Sequence, residues 1–276
     1  MTEDYLQQFK NEELNRRLLH RDNVPAIEEM LHEESQRLQH LQELERSGRL
    51  DFGPRIRRRD LKPILGEVKK EVDDFLGVGD VVPPRCSFYN SDIITSGRFL
   101  SPQISLTSVT SVLMNREPCY DFASKTIHPG RKRKYKKRSA SIPLLAHEYA
   151  HHIQNVKGMV RRELNVFGEG HARGVQRHVS NVYAEREDNE AYLLDIVDKN
   201  CGELKGVYEW MCPKFGVTLR RSLLTTQTSG VDGIIFLLLY GEPSFHARGN
   251  AFFYMLERER GSQIYGEAVR GELLLN

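Results

Sequence analysis

The chain has 276 residues, of which 28% are charged and 39% hydrophobic, and its formal net charge at pH 7 is +2. A chain of this length can bury a sizeable core, and a charge so near zero excludes the global positive field that would argue for nucleic acid. The start, Met1-Thr2-Glu3-Asp4-Tyr5, is acidic rather than basic-then-apolar, and the longest apolar run, 234–240, is too short to cross a bilayer. A cytoplasmic protein with no membrane partner is therefore expected. The four cysteines, Cys86, Cys119, Cys201 and Cys212, form no C-x-x-C pair. Reduced thiols are expected, and a Cys201–Cys212 disulfide fits only an oxidising compartment.

Three regions are expected along the chain: a charged helical segment over 1–55, a catalytic core over 56–200 and a helical subdomain over 201–276. In the first, Asn23 can cap a helix with Pro25 in its first turn and Gly48 at its end. Ile27, Leu31, Leu38, Leu41 and Leu44 lie on one broad stripe of that helix. The plain reading of the stripe is packing; the functional reading is a cover over a cleft or a dimer element. Pro54 and the run Arg55-Ile56-Arg57-Arg58-Arg59 mark a boundary. A helix then ends near Phe75-Leu76-Gly77, 84–89 reads as a strand and 99–106 as a second. Seven of the eight residues in 131–138 are basic, so this run cannot pack in a core. It is either a solvated loop or a contact for an acidic partner, nucleic acid included.

His147-Glu148-Tyr149-Ala150-His151 is the most informative stretch of the chain. Two histidines four apart share one helix face, so both imidazoles can reach one metal ion. Neutral nitrogen ligands suit zinc, and Glu148 is placed to deprotonate a water that the metal activates. Ser141 serves as N-cap, Pro143 as a first-turn residue and Gly158 as the stop. Between them Leu145, Ala146, Tyr149, Ala150, Ile153 and Val156 form an apolar face, and His147, Glu148, His151 and Gln154 fall opposite it. A site of this kind needs a third protein ligand. The Gly and His of the metzincin continuation are absent, with Gln154 and Lys157 in their places. The remaining choices are Glu169, in Val166-Phe167-Gly168-Glu169-Gly170-His171-Ala172, and the acidic run holding Glu185, Glu187 and Glu190. The ordinary reading of such a run is a solvated helix face.

Together with the HExxH stretch, Glu169-Gly170-His171-Ala172 resembles the E-G-x-A signature of the gluzincin (thermolysin-like, peptidase MA) superfamily. The resemblance implies a zincin-like α+β fold, mainly helical, in which a small twisted sheet lays an edge strand over the HExxH helix. Here 99–106 would be that strand, and an extended peptide would pair with it. The resemblance also implies one Zn2+ per chain held by His147, His151 and Glu169, with Glu148 as general base. The implied activity is zinc-dependent hydrolysis of peptide bonds in a peptide or protein substrate. The stretch from His246 to Gly261 resembles the closing helix of the family, with His246 where a Tyr is usual. His246 is then the expected oxyanion donor, with Tyr240 and His171 as competitors. The likeness spans about 60–270, densest at 147–175. The alternative function is a non-enzymatic nucleic-acid-binding or regulatory protein that uses 131–138. Glu148 speaks against it, because a purely structural metal site has no use for that carboxylate.

Overall fold

The computed structural model describes residues 20–86, 119–122, 125–128, 137–159, 166–211 and 245–273, together with Leu18. The strand expected over 99–106, the second half of 84–89, the basic residues 131–136, Cys212 and Tyr240 lie outside the described residues.

Helix α1 (Val24–Arg46) begins after Asn23, holds Pro25 in its first turn and is followed by Gly48 at φ +69°. Its buried stripe is Ile27, Met30, Glu34 and Leu41, with Leu31 and Leu38 partly buried beside it. Helix α2 (Leu61–Leu76) ends on Gly77, whose φ of +60° is the left-handed conformation that a helix stop favours. A three-stranded mixed sheet follows, of β1 (Arg85–Cys86), β2 (Cys119–Asp121) and β3 (Thr126–His128) in the order β1-β3-β2. Strand β1 is parallel to β3, and β2 is antiparallel to it with Tyr120 opposite Ile127. The β2–β3 pair was not foreseen, since runs of three residues are too short to show an alternating pattern.

Helix α3 (Arg138–Val156) carries the HExxH stretch and starts a turn earlier than Ser141 predicts. No side chain caps it. Instead the Arg138 and Ser139 N–H groups donate to the carbonyls of Pro54 and Phe52 at 3.2 and 3.4 Å. The Arg138 guanidinium donates to Glu67 and Glu187 at 2.9 and 3.3 Å. Distant groups thus satisfy the donors that a local cap would take, and Pro143 ends up inside the helix. Gly158, at φ +72°, closes α3, and Met159 N–H donates to the Gln154 carbonyl at 2.8 Å.

Among the described residues the further α-helices are α4 (Val166–Arg186), α5 (Leu194–Met211), α6 (Phe245–Arg260) and α7 (Ile264–Arg270). Helix α4 is central: it is buried along most of its length and packs against both α3 and α6, while α1 lies along α5. One apolar core takes residues from all three expected regions, among them Met30 and Leu41, Tyr149 and Val175, Phe253 and Tyr265. The class is α+β, mainly helical, with a small mixed sheet. Among the described residues no helix is long and apolar enough to cross a membrane. Cys201 is a buried free thiol.

Candidate metal centre

Helical spacing puts His147 and His151 on one face of α3, with their Nε2 atoms 3.2 Å apart. Glu169, in the first turn of α4, brings its carboxylate to the same point. Its Oε2 is 3.4 Å from His147 Nε2 and its Oε1 is 3.3 Å from His151 Nε2. All three side chains are buried, and they are the group among the described residues whose ligand atoms cluster closely enough to hold one ion. The rival third ligands are elsewhere. Glu185, Glu187 and Glu190 are exposed, and Glu187 and Glu190 engage Tyr192 and His40. Glu185 is four to five turns further along α4, roughly 24 Å from Glu169 at 1.5 Å per residue.

Glycines fix the position of Glu169. A β-carbon on Gly170 would fall on the backbone of Gly249 in α6, one on Gly249 would fall on the Val166 carbonyl, and one on Gly174 would fall on the Tyr265 ring. Helices α4 and α6 therefore touch backbone to backbone, a separation that side chains would forbid. His246 sits one turn before Gly249, and the crossing brings its Nδ1 to 2.8 Å from Glu169 Oε2. The residue expected as oxyanion donor thus has one ring nitrogen on the third ligand. Its competitor His171 is buried, with Nδ1 3.0 Å from Gln154 Nε2 and Nε2 3.1 Å from the Tyr265 carbonyl. Both of its nitrogens are engaged inside the core, which removes His171 as a donor to substrate.

The electrostatics of the cluster fit a cation. Although imidazole nitrogens surround it, neither Glu169 oxygen accepts an aligned hydrogen bond, and His147 Nδ1 is likewise buried without one. A buried carboxylate left in that condition is costly unless something positive meets it. Burial opposes ionisation of Glu169, yet His246 and His151 hold its pKa well below the usual carboxylate range. Burial pushes His147 down to about 3, which leaves it neutral. Burial acts the same way on His151, but the Glu169 charge outweighs it and raises that ring to about 9. Two imidazoles and a carboxylate are a zinc-type donor set. Their spacing of 3.2 to 3.4 Å matches the edge of a tetrahedron with metal–ligand bonds of about 2.0–2.1 Å, which is roughly 3.4 Å.

Glu148 lies beside the cluster and outside it. Burial raises its carboxyl to about 7, while the His151 charge and the backbone N–H of Tyr120 in β2 pull the other way. A carboxyl with this affinity for a proton, next to a potential metal, has the character of a general base. Sequence reading placed Gln154 on the polar side of α3 and gave it no role. It is fully buried and its Oε1 lies 2.9 Å from His151 Nδ1. The signal available in the sequence was a large amide three residues after a ligand histidine. No family model, curated protein or solved structure matches the chain.

Proposed function

We propose that the protein is a zinc-dependent peptidase in which His147, His151 and Glu169 hold Zn2+ and Glu148 is the general base. One observation carries the reading. Two imidazole nitrogens and a buried carboxylate converge at ligand spacing, neither oxygen of that carboxylate accepts an aligned hydrogen bond, and a further buried carboxylate stands beside them.

Bound zinc would supply Lewis acidity, polarising a substrate carbonyl and acidifying water. Glu148 takes a proton from the attacking water as its oxygen bonds to the carbonyl carbon. It passes that proton to the amine nitrogen when the C–N bond breaks. His246, whose Nδ1 is 2.8 Å from Glu169 Oε2, stands at the site as the candidate oxyanion donor. Among the described strands β2 is at the edge of the sheet, and its Tyr120 backbone lies by Glu148. An extended peptide along that edge would bring its carbonyl to the base, which favours a peptide as substrate.

The test is metal analysis of the full chain beside Glu148→Gln, with hydrolysis of a fluorogenic peptide library as the activity measurement. Wild type should carry one zinc. Glu148→Gln should carry the same zinc and lose about 10²–10⁴-fold in rate. Wild-type protein that takes up no zinc would reject the metal centre, and undiminished hydrolysis in Glu148→Gln would reject the base.

A further inference from the structure

Gln154 sits on α3 one turn after His151, fully buried, and all its hydrogen bonds run inward. Its Nε2 is 2.8 Å from the Gly168 carbonyl and 3.0 Å from His171 Nδ1, and its Oε1 is 2.9 Å from His151 Nδ1. His171 Nε2 in turn is 3.1 Å from the Tyr265 carbonyl. Two backbone carbonyls fix the polarity of this chain, because a carbonyl can only accept. The Gly168 carbonyl requires the amide NH2 group on its side, which places the acceptor Oε1 against His151. His151 Nδ1 must then carry a hydrogen, and a neutral ring leaves the lone pair on Nε2. The Tyr265 carbonyl requires hydrogen on His171 Nε2, so His171 Nδ1 accepts from Gln154. Both ends of the chain give the same orientation.

We propose that Gln154, backed by His171, is a positioning residue that locks His151 in the tautomer whose Nε2 lone pair faces Glu169 and His147. The proposal rests on the metal-centre reading above. The partner ligand supplies an internal contrast: His147 Nδ1 is buried and makes no hydrogen bond. Of the two histidines, His151 alone has its outer nitrogen held by an amide that is itself tied to two further elements. The support connects α3 to the start of α4 through Gly168, and to α7 through His171 and Tyr265. A group of this kind fixes the ring orientation of a metal ligand and holds a hydrogen on the nitrogen turned away from the metal.

The test compares Gln154→Met, which removes the acceptor and both donors, with Gln154→Glu, which keeps an acceptor for His151 Nδ1–H. Zinc affinity is measured on the full chain by competition with a chromogenic chelator. Far-UV circular dichroism follows the fold, and ¹⁵N–¹H spectra of the imidazoles follow the zinc-loaded tautomer. Gln154→Met should bind zinc about 10–100-fold more weakly than wild type and lose the protected His151 Nδ1–H signal. Gln154→Glu should stay within a few-fold of wild type and keep that signal. Equal affinity in wild type and a folded Gln154→Met overturns the proposal while leaving the metal centre standing. If Gln154→Met does not fold, Gln154→Glu decides: weak zinc binding and a lost Nδ1–H signal in that variant also overturn the proposal. If wild type itself binds no zinc, the metal centre falls and this proposal with it.

Discussion

Helix α4 carries two buried polar clusters two turns apart, and they are built on opposite plans. Around Arg177 nearly every donor and acceptor is matched. The guanidinium donates to Asn250 Oδ1 at 3.2 Å and to the Tyr265 hydroxyl at 2.8 Å, pairs with Glu257, and stacks over the Tyr254 ring at 4.1 Å. Asn250 donates to Asn200 and Asn200 to Glu34, each at 3.1 Å, and the Tyr254 hydroxyl reaches the other Glu34 oxygen at 3.0 Å. Around Glu169, by contrast, neither carboxylate oxygen accepts an aligned hydrogen bond. The same helix in the same core thus holds one charge by complete pairing and another by approach alone. The first arrangement suits a fixed join between α1, α4, α5, α6 and α7. The second suits a ligand that comes and goes, since groups satisfied by one another offer nothing to a metal.

The sharpest way to break the contrast is to remove each charge in turn. Arg177→Met should lower stability in urea by about 3–5 kcal/mol, because it takes the donor from buried Asn250 and the charge partner from half-buried Glu257. Metal-free Glu169→Ala should lose much less, since neither oxygen of the carboxylate it removes accepts an aligned hydrogen bond. An equal loss in the two variants would mean that both clusters are structural. The next effect comes from metal. Zinc at a hundredfold excess over its dissociation constant should stabilise wild type by about 2.7 kcal/mol, with chelator reversing it in a thermal melt. Glu185→Ala should keep that response and Glu169→Ala should lose it; the opposite pattern would move the third ligand to the acidic run. The smallest effect sharpens the role of the helix crossing. Gly249→Ala forces α6 away from the Val166 carbonyl and should destabilise by about 1–3 kcal/mol. It should also weaken zinc binding, by shifting His246 off Glu169. A folded Gly249→Ala protein with unchanged affinity would show that the crossing serves packing only.

How much of this was legible in the sequence depends on how local each cause is. The shared face of His147 and His151 follows from helical spacing, and Gly48, Gly77 and Gly158 announce helix ends through their backbone freedom; the structure has all of these. The E-G-x-A resemblance led to Glu169, and the structure brings Glu169 to the two histidines. The start of α3 was misplaced because its first N–H groups are capped by the carbonyls of residues 52 and 54, far away in sequence. Glu34 was not foreseen inside the core, because a carboxylate in an apolar stripe reads as surface until Asn200 and Tyr254, 166 and 220 residues away, are seen to satisfy it. Gln154 has the same explanation. Its neighbours in sequence call for nothing, and its work is with Gly168 and His171 on another helix.

The end of α3 has a kinetic consequence. Gly158 turns the chain so that Met159 N–H closes onto the carbonyl of Gln154, the residue whose side chain holds His151. Helix termini open before helix centres do. Here the last turn is also a support for a ligand, so each opening of that turn loosens an imidazole at the centre of the site. Amide hydrogen exchange at Gly158 and Met159 and the motion of the His151 ring are then two views of one local equilibrium.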